Sequence, residues 1–99
     1  MARFDVYQLR GSGALVLDCQ SDLLAYFDTR FVVPLMPPSQ GPAPAATLNP
    51  VFNIQGQTVA MYTQYAGAMR KSELGSVVMS LAEHDIAIGR AIDMLLSGF

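Results

Sequence analysis

The 99-residue sequence is poor in charge and in the residues that support metal or thiol chemistry. It has one cysteine, one histidine and no tryptophan, and charged residues make up only 14% of the chain. A single cysteine cannot form an intramolecular disulfide, which excludes the class of small disulfide-rich domains. Because Cys19 lies in the apolar run LVLDCQ, we expect it at a buried strand position rather than as a reactive thiol.

Positive charge is also scarce. Six Lys and Arg residues stand against eight Asp and Glu residues, which gives a formal net charge of −2. A surface dedicated to nucleic acid normally has a basic excess, so no direct nucleic-acid binding is expected. No run is apolar enough for a membrane span, and MARFDVYQLR lacks the apolar segment of a secretory signal. We therefore expect a cytoplasmic protein without a membrane partner.

Sequence motifs of catalysis are absent as well. There is no phosphate-binding glycine motif, His-x-x-x-His pair or nucleophile elbow. His84 is expected to be a solvated residue at the start of a helix, because no partner for a metal or for base catalysis is apparent. Asp18, Asp22 and Asp28 are of the residue type that caps turns. We predict no catalytic residue, no metal site and no cofactor.

What the chain has in excess is apolar side chains, at 52% of its residues. Its length fits one domain over residues 1–99, near the lower limit for a self-sufficient core. Some of the apolar surface is therefore expected to meet a partner, and a homodimer covers such a patch twice. A well-filled monomer is the alternative.

Short strands account for most of the sequence. Glycine-containing turns separate alternating or β-rich runs and predict two antiparallel hairpins. Pro34 is expected to mark an edge or the end of a strand, and the Pro-rich stretch up to Pro50 is expected to be an extended surface connection. The predicted strands are Arg3–Leu9, Ala14–Gln20, Arg30–Leu35, Val51–Ile54, Thr58–Thr63 and Val77–Met79, with Ala66–Ser72 as a weaker candidate.

The last twenty residues, 80–99, have the pattern of an amphipathic helix. Ser80 and Glu83 have the spacing of a capping box, and Gly98 stands where a left-handed residue ends a helix. Strands followed by one helix predict an α+β fold, a small antiparallel barrel or curled sheet with a C-terminal helix. The predicted apolar face contains Leu81, Ile88, Ala91, Ile92, Leu95 and Leu96.

The loop between the second and third predicted strands, residues 21–29, carries Leu23 and Leu24 at its tip. Two adjacent leucines at such a place either form a small apolar cluster under the loop or make an exposed contact. The sequence leaves both interpretations open.

A family resemblance runs through most of the chain. Asp18-Cys19-Gln20-Ser21-Asp22 and Arg30-Phe31-Val32-Val33-Pro34-Leu35 resemble the V-Q-S-D and R-x-V-I-P-L blocks of CcdB-type toxins, the gyrase-poisoning branch of the CcdB/MazF superfamily. Further matches follow in order at Leu48-x-Pro50-Val51-x-x-Ile54, Met61-x-Thr63, Leu81 to Ile88, and Ala91 to Gly98.

The resemblance implies an SH3-like barrel, a two-fold homodimer and a non-enzymatic toxin of a type II toxin–antitoxin system. Such a toxin binds the DNA gyrase A subunit and stabilises the cleaved-DNA complex, and a CcdA-like antitoxin neutralises it through a tail that orders on binding. The residues implied in gyrase binding are Leu23, Leu24, Asp93, Leu96, Ser97, Gly98 and Phe99.

Two departures from the family pattern keep other functions open. Ser97 stands where the best-known members have tryptophan, and the segment Pro37–Pro44 is rich in proline and alanine where relatives are more charged. One alternative is a MazF-like endoribonuclease, for which Arg30, Arg70, Lys71 and His84 are the available groups. The other is a non-toxic homologue that keeps the dimer and the antitoxin contact.

Overall fold

The computed structural model describes residues 2–98, and within them seven strands precede one helix. All strand pairings are antiparallel and build one sheet in the order β4-β5-β3-β2-β1-β7, with β6 paired to β3 beside this path. The expected α+β fold, a curled antiparallel sheet with a C-terminal helix, is confirmed. The elements are β1 (Asp5–Leu9), β2 (Leu15–Asp18), β3 (Thr29–Met36), β4 (Val51–Ile54), β5 (Gln57–Met61), β6 (Gly67–Arg70), β7 (Leu74–Ser80) and α1 (Asp85–Ser97).

Strand β3 lies at the centre of this sheet. One of its edges pairs with β2, while the other pairs with β6 as far as Val32 and with β5 from Leu35 onwards. The prediction that Pro34 marks an edge or a strand end is therefore wrong. The Pro34 carbonyl accepts a hydrogen bond from the Tyr62 amide, so its ring nitrogen faces the same edge, at the point where β3 changes partner. The proline nitrogen has no proton to donate, and the Tyr62 carbonyl accepts from the Tyr65 amide at 2.9 Å instead.

Both faces of the sheet bury side chains, because successive residues of a strand point to opposite faces. The smaller cluster consists of Tyr7, Val16, Val32 and Leu74, with Leu9 and Met69 packed against it. By the same alternation, Asp18 and Arg30 lie on this second face. The main core lies on the other face, under α1, and contains Phe4, Val6, Leu17, Val33, Leu35, Phe52, Ile54, Val59, Met61, Leu81, Ile88 and Ala91.

The helix begins later than predicted. Ser80 is the last residue of β7, where it pairs with Asp5, and α1 starts only at Asp85 after a 3₁₀ turn over Ala82–His84. The prediction of a capping box is wrong. The Ser80 hydroxyl accepts from the Ala82 amide at 3.1 Å, and no side chain caps the N-terminus of α1. Strand pairing with β1 holds Ser80 in extended geometry.

The buried face of α1 is also narrower than predicted. Ile88 and Ala91 are buried on it, and Leu81 is buried just before it. Leu95 and Leu96 are 41% and 75% exposed, so their place on the buried face is wrong. The main core ends before the last turn, which leaves both leucines at the surface.

The Pro-rich connection between β3 and β4 is tied down at several points. The Tyr62 hydroxyl donates to the Pro42 carbonyl at 2.8 Å, and the Thr63 hydroxyl donates to the Leu48 carbonyl at 2.6 Å. Buried Asn49 donates its amide to the Met61 carbonyl at 2.9 Å. The segment that follows β5 therefore holds this connection in place.

Candidate functional site

Residues 21–28, in the connection between β2 and β3, are named here the Leu23 loop. It contains a 3₁₀ turn over Asp22–Leu24 and four large apolar side chains at the surface. Leu23 is 87% exposed, Tyr26 75%, Phe27 43% and Leu24 38%. Of the two interpretations of Leu23 and Leu24, an exposed contact rather than a cluster under the loop is therefore correct. The aromatic residues Tyr26 and Phe27 were not predicted to be part of this surface.

Gln20 connects the two ends of the Leu23 loop. Its amide nitrogen donates to the carbonyls of Leu24 and Thr29, each at 3.1 Å, and its amide oxygen accepts from the Phe31 amide at 2.9 Å. One side chain thus satisfies main-chain groups within the loop and at the start of β3. Such bonds replace water at the loop's main chain and restrict its conformations.

A buried ion pair fixes Gln20 in turn. Arg30 donates from Nη2 to Asp18 Oδ2 at 2.7 Å and from Nε to the same oxygen at 2.9 Å, and both side chains are fully buried. The other Asp18 oxygen accepts from the main-chain amide of Gln20 at 3.0 Å, and Arg30 also donates to the main-chain carbonyl of Gln20 at 3.4 Å. Asp18 does bind a nearby amide, as predicted, but its main partner is twelve residues away.

Three further contacts anchor the loop from outside. Asp22 accepts from the Arg3 amide at 2.8 Å. Lys71 donates its main-chain amide to the Asp28 carbonyl at 2.9 Å and its ammonium to the Ala25 carbonyl. The loop's main chain is therefore held at both ends and in the middle, while its apolar side chains face solvent.

The last turn of α1 contains the other residues implied in binding. Asp93, Leu96, Ser97 and Gly98 are all exposed, and Leu96 is the most exposed large side chain there, at 75%. Gly98 has a φ angle of +81°, and its amide donates to the Met94 carbonyl at 3.0 Å, so the predicted C-cap is confirmed.

The structure does not join these two groups of residues by hydrogen bonds. Within residues 2–98, no hydrogen bond links the Leu23 loop to the last turn of α1. Phe99 lies outside the described residues.

The remaining reactive side chains show no catalytic arrangement. Cys19 packs against the main core but is only partly buried, and it follows the last residue of β2, so the expected buried strand position is wrong. Desolvation, followed by the nearby Asp18 charge, raises the pKa of its thiol to about 12. His84 is half-exposed and its ring lies 5.1 Å from that of Phe52, centroid to centroid. Across residues 2–98, no group of His, Cys, Asp and Glu could hold a metal ion. Nor is any helix in that range long and apolar enough to cross a membrane.

Two surface grooves differ in the charge of the residues that line them. One, of about 350 Å³, runs between the β1–β2 turn, the end of β3 and β5, and no charged residue lines it. The other, of about 550 Å³, is lined by Asp28, Thr29, Arg70, Lys71 and Ser72. Cationic side chains therefore line only the second of these grooves, beside the Leu23 loop.

The fold is shared with two solved toxin structures. The Mycobacterium tuberculosis toxin MazF-mt6 superposes with a TM-score of 0.77 at 13% identity, covering 93% of this chain and 95% of that one. A second solved structure, an Mtb toxin, gives a TM-score of 0.71 at 15% identity, covering 88% of this chain and 94% of that one. At such low identity these likenesses show a shared fold.

The sequence itself narrows the class. Residues 3–98 match the CcdB protein family. Comparison with curated proteins gave no match. The chain belongs to the CcdB family, and this membership supports a toxin of a toxin–antitoxin system.

Proposed function

We propose that this chain binds the DNA gyrase A subunit through the Leu23 loop and the last turn of α1. In this proposal it stabilises the cleaved-DNA complex in the cytoplasm without catalysing a reaction, and a CcdA-like antitoxin neutralises it. The observation that carries the proposal is that Leu23 and Leu96 are 87% and 75% exposed on main chain that is already held in place. The gyrase contact comprises Leu23, Leu24, Asp93, Leu96, Ser97, Gly98 and Phe99.

Physical chemistry supports a binding role for these side chains. Large exposed apolar groups gain free energy when a partner removes them from water, by about 25 cal/mol per Å² of apolar surface. A loop that is already ordered loses little conformational entropy on association. Gln20 and Lys71 provide that order for the Leu23 loop, and Gly98 provides it for the end of α1.

A homodimer is part of the same proposal. Among residues 2–98, β7 pairs only with β1 and forms an edge of the sheet. Val77 on this strand and Ile86 on α1 are 53% and 69% exposed. A second copy would cover such surface at a two-fold axis. Sedimentation equilibrium should give twice the chain mass, and a monomer at micromolar concentration would contradict it.

The shared fold with MazF-type toxins makes an endoribonuclease the second candidate. Several features of the site argue against it. Arg30 is buried against Asp18, the groove beside the β1–β2 turn is lined by uncharged residues, and His84 packs against Phe52. Arg70 and Lys71 remain, and the carboxylates beside them are those of Asp28, in the same groove, and Glu73, which accepts from the Arg70 amide at 3.3 Å. Specific RNA cleavage by the purified protein, abolished by Lys71→Ala, would establish this candidate instead.

Induced expression in a bacterial host tests the proposed toxicity. The wild-type chain should arrest growth, whereas Gly98→Glu, Leu96→Ser and removal of residues 97–99 should each abolish the arrest. Val51→Ser, which changes a 50% exposed residue on β4, is the matched control and should leave the arrest intact.

Two outcomes of this experiment would contradict the proposal. Unchanged arrest by all three tail variants would exclude the last turn of α1 from the toxic contact. Normal growth on induction of folded wild-type protein would identify the third candidate, the non-toxic homologue, and would be explained by Ser97 in place of tryptophan.

A further inference from the structure

We infer that Tyr26 and Phe27 extend the partner-binding surface of the Leu23 loop and act as its aromatic anchors. This inference rests on the proposed function and names residues to which neither the family resemblance nor the comparisons assign a role. Both residues follow Leu23 and Leu24 along the same loop, after the exposed Ala25. Together the four side chains form one continuous exposed apolar segment.

The two rings are arranged in a way that suits an anchor. Their centroids lie 4.6 Å apart with an interplanar angle of 65°, which is the edge-to-face geometry that aromatic pairs prefer. Each ring restricts the other, so less freedom is lost when a partner covers them. Aromatic side chains with few rotatable bonds are enriched among the residues that dominate interface energies.

The two rings do not pack into the apolar cores of the protein. Tyr26 and Phe27 belong to neither apolar cluster. Tyr65 differs from them. It is exposed too, at 52%, but its ring stacks on the ring of buried Tyr62, with the two centroids 5.9 Å apart. Tyr26 has no such buried neighbour among the aromatic contacts of residues 2–98.

The main chain beneath the rings is fixed on both sides. On one side, Gln20 holds the Leu24 carbonyl and Lys71 holds the Ala25 carbonyl. On the other, the Lys71 amide holds the Asp28 carbonyl. A loop with no binding role needs no such bracing of exposed aromatic residues, since burial of those residues does not stabilise the fold.

Charge indicates which kind of partner fits. The charged residues of the loop itself, Asp22 and Asp28, are both acidic. The neighbouring cations, Arg70 and Lys71, line a groove that includes Asp28 but none of the four exposed apolar side chains, so these side chains offer no charge to a phosphate backbone. A second copy facing the same loop across a two-fold axis would bring like charges together. The occupant that fits is a different protein with an apolar pocket, and in the proposed function this is the gyrase A subunit.

Calorimetric titration of the full chain against the gyrase A dimerisation domain tests the inference. Tyr26→Ala and Phe27→Ala should each weaken binding by about 30-fold, the loss typical of an interface hot spot. Tyr65→Ala, the matched change at an exposed tyrosine outside the loop, should change the affinity by less than about 3-fold. Urea unfolding of each variant separates lost binding from lost folding.

Each result decides a different question. Wild-type affinity in both Tyr26→Ala and Phe27→Ala, with weaker binding by Leu96→Ser, would overturn this inference alone. No binding by folded wild-type protein would overturn the proposed function and the inference together. A change of oligomeric state in Tyr26→Ala, with unchanged gyrase affinity, would identify a second copy as the occupant and overturn the inference.

Discussion

The Leu23 loop and the last turn of α1 both place a leucine in solvent, but different interactions hold them. The loop depends on side chains outside it: Gln20 just before it, Arg30 just after it through Asp18, and Lys71 from the turn after β6. The last turn depends on helical main-chain bonds and on Gly98, which closes it with a bond to the Met94 carbonyl. The shape of the loop is therefore a tertiary property, whereas that of the turn is local.

This difference has a practical consequence. A substitution outside the Leu23 loop can alter the surface that the loop presents, because its anchors are Asp18 on β2, Gln20 after β2, Arg30 on β3 and Lys71 in the 3₁₀ turn after β6. A substitution in the last turn of α1 should act only there. The predictions below test that distinction, from the largest expected effect to the smallest.

Removal of Asp18 should have the largest effect. Asp18→Ala leaves the buried Arg30 guanidinium unpaired, which typically lowers the free energy of unfolding by about 3–5 kcal/mol. Urea unfolding measures this loss. The double variant Asp18→Leu/Arg30→Met removes both charges and should recover most of the stability. A loss below about 1 kcal/mol for Asp18→Ala would contradict the role given to the ion pair.

Removal of the Gln20 side chain should loosen the loop selectively. Gln20→Ala deletes three hydrogen bonds, and we expect the free energy of unfolding to fall by about 1–3 kcal/mol. Hydrogen exchange at the amides of residues 22–31 should accelerate, while exchange in α1 stays unchanged. Gln57→Ala, at an exposed position on β5, is the control. Equal protection of the loop in wild type and Gln20→Ala would show that the amide does not hold it.

At the end of α1 the expected effect is smaller and local. Gly98 has a φ angle of +81°, so Gly98→Ala should destabilise by about 1 kcal/mol and fray only the last turn. Gly89→Ala should have the opposite sign, about 0.5–1 kcal/mol of stabilisation. The added methyl group there meets nothing within 4 Å. Thermal unfolding of both variants checks the signs, and a stabilising Gly98→Ala would contradict the cap.

Much of the fold follows from local sequence. Glycine-flanked turns predict the two hairpins, and Gly98 predicts the helix end. These features need only neighbouring residues to form. The weak candidate Ala66–Ser72 also holds, as β6.

Features that depend on residues distant in sequence could not be predicted in the same way. The S-x-x-E spacing at Ser80 is present, but pairing of β7 with Asp5 overrides it. Asp18 and Arg30 become partners only because β2 lies against β3. Leu96 fits the helical apolar pattern, yet the core it would join ends one turn earlier, which no periodicity reveals.

The smallest effect concerns Cys19, which precedes Gln20. Its pKa is raised to about 12, so a thiol reagent should modify native protein very slowly at pH 8, and Gln20→Ala should speed the reaction if the loop opens. The folded state holds the thiol proton more tightly than the unfolded state does. Stability should therefore be independent of this group below about pH 9 and fall between about pH 9 and 12.

A matched control completes that experiment. Cys19→Ser should abolish labelling and remove this part of the pH dependence. Rapid labelling of the wild type at pH 8 would show that the strand beside the Leu23 loop opens freely, and it would contradict the description of the loop as fixed.

The proposed function predicts that the two surfaces act on one partner. Titration of the gyrase A dimerisation domain with wild type, Leu23→Ser, Leu96→Ser and the double variant tests this most directly. The account predicts saturable binding by the wild type, weaker binding by each single variant and none by the double variant, with all four proteins folded. Binding that is unaffected in the double variant, or absent in the folded wild type, would contradict it.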